Sequence, residues 1–158
     1  MTGECGINIL VIGYGNPGRL DDGLGPAFAE QVQALQLPDV SVESNYQLNI
    51  EDAELISRFD VVVFADASLD AQEPFDFRQM HPKPPVVGFS SHSITAESLL
   101  GLAGELFNAT PQAHAMAIRG YDFNEFGEQI SDAAQENLTA AVVYFGTWAA
   151  SQAPHRRH

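Results

Sequence analysis

The stretch INILVIGYGNPGRLDDGLGP, from Ile7 to Pro26, decides how the rest of the chain is read. It opens on Ile7–Ile12, β-branched and nearly all apolar. Such a run reads as a strand buried on both faces, the mark of a parallel sheet covered by helices. A glycine-rich turn follows. Behind it Pro26 suits a first helical position, and Phe28, Val32 and Leu35 recur at helical spacing.

The same alternation extends outward. Val40–Glu43, Val61–Ala65, Val86–Phe89 and Ala115–Ile118 read as four further strands. Residues 50–58 form a short, weaker helix. Thr95 suits an N-cap with Glu97 in the first turn, and Leu99, Leu102, Ala103 and Leu106 line one helical face. Ser131 or Asp132 opens a last helix with Ala134, Leu138, Ala141, Val142 and Phe145 as its apolar stripe. Residues 68–85 hold Pro74, Pro82, Pro84 and Pro85 and read as a surface excursion. The expected fold is α/β: a three-layer sandwich with a mostly parallel, twisted, five-stranded sheet and helices on both faces. One domain over residues 1–153 and a frayed tail over 154–158 complete the expectation.

Composition narrows the function classes. Seven Lys and Arg stand against twenty-one Asp and Glu in 158 residues, a formal charge of −14. Nucleic acid and anionic membrane both need a basic face, so neither is an expected partner. A cationic ligand or a basic partner suits this surface. The single cysteine, Cys5, excludes an internal disulfide and a Cys-rich zinc site. The N-terminus lacks a basic n-region, and no run approaches the ~20 apolar residues of a membrane helix. A soluble, cytoplasmic monomer is the expectation.

Gly13-Tyr14-Gly15-Asn16-Pro17-Gly18 matches G-x-G-x-x-G after a first strand, which suggests a dinucleotide site. In such a site the helix opens at the glycines and its amides meet the pyrophosphate. Here Pro17 interrupts, and Asp21-Asp22 would lie where phosphate should bind. Two unit charges at 4 Å repel by about 4 kcal/mol at an effective dielectric of 20. Glu43 is a passable ribose acid, so a nucleotide-binding module remains an alternative. The glycines also allow a tight strand-to-helix turn that aims Asp21 and Asp22.

Asp66 directly follows an apolar strand, where α/β proteins place ligands, although a turn acid there is equally ordinary. His92, in Ser90-Ser91-His92-Ser93, suits a metal ligand or a proton carrier, and equally a loop histidine bonded to a hydroxyl. His81, His114, His155 and His158 are less promising positions. Asp22, Asp66 and His92 all follow strands, on one edge of a parallel sheet. Two carboxylates and an imidazole hold a divalent cation with positions left open for water or substrate. Paired carboxylates that activate water without a metal are the other chemistry open to them.

These residues resemble a known family, the endopeptidases that mature nickel-iron hydrogenases. Gly13-x-Gly15-Asn16 followed by Asp21-Asp22-Gly23-x-Gly25 resembles its signature loop, with the acidic metal ligand falling on Asp22. The family's second acid, in an Asp-Ala context, falls on Asp66, and its loop histidine falls on His92. Order and spacing agree over roughly residues 7–150. The resemblance implies an aspartic-type hydrolase that clips a C-terminal extension from a hydrogenase large-subunit precursor. It implies that Asp22, Asp66 and His92 sense nickel carried by that substrate, with Gly13, Gly15, Asn16, Asp21 and Gly23 in support. The sequence departs from the family after the second strand. Many members have Asp-Gly-Gly-Thr there, whereas this chain has Ser44-Asn45-Tyr46-Gln47-Leu48-Asn49 and lacks that carboxylate. A catalytically silent domain that docks a basic partner is the third alternative.

Overall fold

Side-chain alternation along the apolar strands sorts the core into two halves, one on each face of a single sheet. The computed structural model describes residues 7–84 and 94–152. Five strands make the sheet: β1 (Ile9–Tyr14), β2 (Val40–Asn45), β3 (Val61–Ser68), β4 (Phe75–Met80) and β5 (Gln112–Arg119), in the order β2-β1-β3-β5-β4. All neighbours are parallel except β4, which runs antiparallel to β5 at one edge. A short 3-10 helix (Leu20–Gly23) leads into α1 (Leu24–Leu35), followed by α2 (Asp52–Ile56), α3 (Ala96–Phe107) and α4 (Asp132–Gln152).

On one face Ile9, Val11, Val61, Val63, Met116 and Ile118 pack with Leu24, Phe28 and Val32 of α1 and Leu138, Ala141 and Phe145 of α4. Phe28 meets Phe145 edge-on at 5.7 Å between ring centres. On the other face Leu10, Ile12, Val62 and Phe64 pack with Ala53 and Ile56 of α2 and Leu99, Leu100 and Ala103 of α3. The α/β class expected from the strand runs is the observed one.

Several details differ from the sequence reading. β3 runs on to Ser68, so Asp66 lies inside the strand, opposite Ala117. α1 starts at Leu24 rather than Pro26, because the 3-10 turn feeds straight into it. Pro26 still falls in the first helical turn, where a missing N–H costs nothing. Leu106 of α3 is 61% exposed, and Leu100 takes the buried position instead. Thr95 does cap α3, its hydroxyl accepting from the Ser98 amide at 3.1 Å.

The supposed excursion over residues 68–85 contains β4. Phe75-Asp76-Phe77-Arg78 alternates with period two, and both phenylalanines pack against Tyr144 of α4. Pro74 and Pro82 lie outside the ladder, which is where prolines beside a sheet are tolerated. The expected strand at Val86–Phe89 lies outside the described residues. Among the described residues no helix is long and apolar enough to cross a membrane.

Candidate active site

The glycine loop exists to bring α1 against the sheet and to turn Asp22 toward it. Gly15 has φ +144°, and a Cβ there would meet the Asp22 carbonyl oxygen at 2.2 Å. Gly15 is tied to β2 as well, its amide donating to the Asn45 carbonyl at 3.1 Å. The Asn16 amide donates to Asp22 Oδ2 at 2.9 Å, and the Asn16 side-chain oxygen accepts from the Gly18 amide at 2.8 Å. Gly15→Ala is therefore expected to displace Asp22 and to lower the melting temperature. It forces both a disfavoured φ and a clash with backbone. A crystal structure of the variant with an unmoved loop would refute this.

Asp66 stands at the same carboxyl edge, on the α2/α3 face of β3. Its Oδ1 accepts from the Ala67 amide at 2.8 Å. Tyr14, at the end of the adjacent strand, lies on the same face of the sheet beside this carboxylate. Burial raises the Asp66 pKa from its ordinary 3.8 to about 6. The Ala67 amide opposes that rise, the Asp22 charge adds to it, and the Tyr14 hydroxyl opposes it. Asp22 and Asp66 are thus brought close enough to interact electrostatically. Burial also pushes the Tyr14 hydroxyl well above its ordinary range, helped by the charges of Asp66 and Glu97. It stays a proton donor at any ordinary pH.

Two consequences follow for Asp66 near pH 6. The folded value lies above the ordinary one, so the stabilisation it gives is full below about pH 4 and is lost as pH rises through 6. Cation binding has the opposite trend, since a cation competes with the proton. Cadmium affinity measured by calorimetry is expected to be weaker at pH 5 than at pH 7.5. Equal affinities at the two pH values would exclude Asp66 as a ligand.

Asp21 has a different task. It is fully buried and takes four donors: the Tyr121 amide (2.8 Å), the Asp122 amide (3.0 Å), and the Ser131 amide and hydroxyl (both 2.8 Å). Burial alone would raise its carboxyl. The Ser131, Asp122 and Tyr121 amides and the Ser131 hydroxyl outweigh it, and hold the pKa below the ordinary carboxylate range. Backbone bonds from Leu20 to Gly127 and from Gly127 to Gly18 fasten the same segment alongside the loop.

A phosphate finds little here. The Asn16 and Gly18 amides are taken by the protein's own acceptors. Arg19 donates to the Phe123 carbonyl and lies over the Phe126 ring, 5.7 Å from its centre. A groove of about 740 Å³ is lined by α1, β2 and residues 128–138; it contains Glu30, Glu43 and Glu128, no Lys or Arg, and neither Asp22 nor Asp66. The charge of Asp22 acts on the Asp66 carboxyl, and carboxylate oxygens are donors of the kind that divalent cations take. Among the described residues no three His, Cys, Asp or Glu are arranged to hold a metal, and His92 lies outside the described residues.

Tyr14 is the residue that sequence reasoning missed. Its signal was the register: β1 pairs with β3 so that Gly13 faces Ala65, and the next residue on each strand is Tyr14 and Asp66. In the Ser44–Asn49 segment Leu48 is buried and the Asn45 carbonyl holds Gly15, while Gln47 is exposed.

The strand order β2-β1-β3-β5-β4, parallel but for one edge strand, defines a doubly wound α/β fold, the class in which ligands commonly bind at the carboxyl ends of the strands. Solved structures with a similar fold include the [NiFe] hydrogenase maturation protease HycI from Thermococcus kodakarensis KOD1 (22% identity, 91% of each chain, TM-score 0.66). The hydrogenase maturating endopeptidase HybD from Escherichia coli is similar at 16% identity, over 92% of this chain and 93% of that one, with TM-score 0.65. The endopeptidase HycI from Escherichia coli matches at 17% identity, over 90% and 91%, with TM-score 0.66. The chain has the fold of these proteases across nearly its whole length. No family model matches it, and no curated protein matches it.

Proposed function

We propose that this protein is an endopeptidase that removes the C-terminal extension of a nickel-loaded [NiFe]-hydrogenase large-subunit precursor. The observation that carries the proposal is the pair of acids beside one sheet edge, Asp22 after β1 and Asp66 at the end of β3, close enough for the Asp22 charge to act on the Asp66 carboxyl. The shared fold with hydrogenase maturation proteases supports the same conclusion. In this proposal the nickel belongs to the substrate. Asp22, Asp66 and His92 bind it, and so bring the C-terminal segment of the precursor to the edge. Held there, the substrate's nickel would supply Lewis acidity to the scissile carbonyl or to a water. Water adds across the peptide bond, leaving a new carboxyl on the mature subunit and a free amine on the released peptide. Asn16 and Gly15 hold Asp22 for this task, and Asp21 anchors the loop that carries it.

Purified protein mixed with nickel-loaded and with nickel-free precursor tests the proposal. Cleavage of the first alone is expected. Cleavage of both at the same rate would remove nickel from the mechanism, and cleavage of neither would remove the function.

A further inference from the structure

We infer that Ser131, just before α4, is a positioning residue for Asp22 and acts through Asp21; its bearing on cleavage rests on the function just proposed. Local preference does not explain the turn that carries Asp22. Leu20 has φ +52°, a left-handed conformation that a leucine keeps only where its surroundings impose it. The constraint comes from the connection between β5 and α4. The Leu20 amide donates to the Gly127 carbonyl and the Gly127 amide to the Gly18 carbonyl, both at 2.8 Å. The Asp21 amide donates to the Asp122 carbonyl at 2.9 Å.

The Asp21 side chain ties the same turn to the start of α4. The Ser131 amide donates to Oδ1 and the Ser131 hydroxyl to Oδ2, each at 2.8 Å. The hydroxyl oxygen in turn accepts from the Ala134 amide at 3.4 Å, as a helix cap does. A hydroxyl has one hydrogen to give, and this cap leaves it directed at Asp21. The other donors to Asp21 are the Tyr121 and Asp122 backbone amides, so among the described residues Ser131 is the one partner that contributes a side chain. Asp22 comes next in the chain. Its amide donates to the Arg19 carbonyl at 3.0 Å, and its Oδ2 accepts from the Asn16 amide at 2.9 Å. A displacement of Asp21 therefore carries Asp22 with it, and the Asn16 amide registers the change.

Ser131→Ala removes the hydroxyl and keeps the amide, whereas Ser131→Thr keeps both. Hydrogen exchange of the Asn16 amide, followed by NMR, reads the position of Asp22 without any substrate. Partners that orient a ligand are worth about 10–100-fold in affinity or activity. Asn16 exchange is expected to quicken about tenfold in Ser131→Ala and to return to the wild-type rate in Ser131→Thr. Cleavage of nickel-loaded precursor is expected to lose about tenfold in kcat/KM and to recover in the same two variants. Val142→Ala, in the core further along α4, is expected to lower the melting temperature but to leave Asn16 exchange as it is in the wild type. Wild-type exchange in Ser131→Ala, an equal acceleration in Val142→Ala, or no recovery in Ser131→Thr would each overturn the inference. Undiminished cleavage by Ser131→Ala beside an active wild type would overturn it too. If exchange responds as expected but the wild type leaves the precursor uncut, the positioning of Asp22 stands and the proposed function falls.

Discussion

Asp22→Asn and Asp66→Asn are each expected to abolish removal of the C-terminal extension while the chain stays folded. Asparagine keeps an oxygen where Asp22 accepts from the Asn16 amide at 2.9 Å, so the loop is expected to hold its shape. What disappears is a charged oxygen, in the proposed function a ligand of the substrate's nickel. Residues that merely orient ligands are worth 10–100-fold, so losing a ligand should cost at least about 100-fold in kcat/KM. Asp66→Asn carries a second signature. The charged Asp66 is disfavoured by burial and by the nearby Asp22, which is why its pKa stands at about 6. Removing that charge is expected to raise the melting temperature at pH 8, where the wild-type carboxyl is ionised. Loss of activity with a gain in stability marks a group kept for function at the expense of the fold. Full activity in either variant would remove that residue from the site.

Asp21→Ala is expected to have the largest effect on stability, and through it on everything else. Four donors converge on a carboxylate with no solvent exposure. Hydrogen bonds to charged groups are worth about 1.5–3 kcal/mol each, and a buried donor left bare costs its desolvation as well. These contributions are not additive, so about 4 kcal/mol is a reasonable total, near the upper end for single substitutions. For a chain of this size that corresponds to a melting temperature lower by roughly 8–16 °C. Acid should act in the same direction on the wild type. The folded Asp21 pKa is depressed, so its stabilisation is present above the ordinary value and is lost as pH falls through the folded one. Asp66 has the opposite sign, so Asp21→Ala should flatten the acid limb of the stability profile and Asp66→Asn should steepen it. Differential scanning calorimetry between pH 3 and 8 reads both. An Asp21→Ala variant that melts with the wild type would show that the 121–131 segment is held by other means.

The central strands were legible because burial on both faces leaves a continuous apolar run. Ile9–Ile12 and Val61–Ala65 admit no other reading in a chain with capped helices between them. β4 was not legible in that way. It is an edge strand with one face on α4, so it alternates Phe75-Asp76-Phe77-Arg78 and sits between prolines that argued for a loop. The alternation was there to be read, and the proline count obscured it. Asp22 and Asp66 could be placed near one edge because strand ends in α/β folds converge there, whatever the packing. Asp21 could not be assigned its task, since Tyr121, Asp122 and Ser131 lie 100 to 110 residues further along the chain. Tyr14 was hidden for a third reason. Inside a glycine motif it passes for the variable position between two glycines, and only the pairing of β1 with β3 sets it against Asp66.

Mass spectrometry of a co-expressed hydrogenase large subunit, with and without this protein and with nickel supplied, bears most directly on whether the acidic sheet edge is a protease site. The large subunit is expected to lose a C-terminal peptide only when this protein is present, and to keep it when Asp66→Asn replaces the wild type. An identical mass in all three samples would contradict the proposed function.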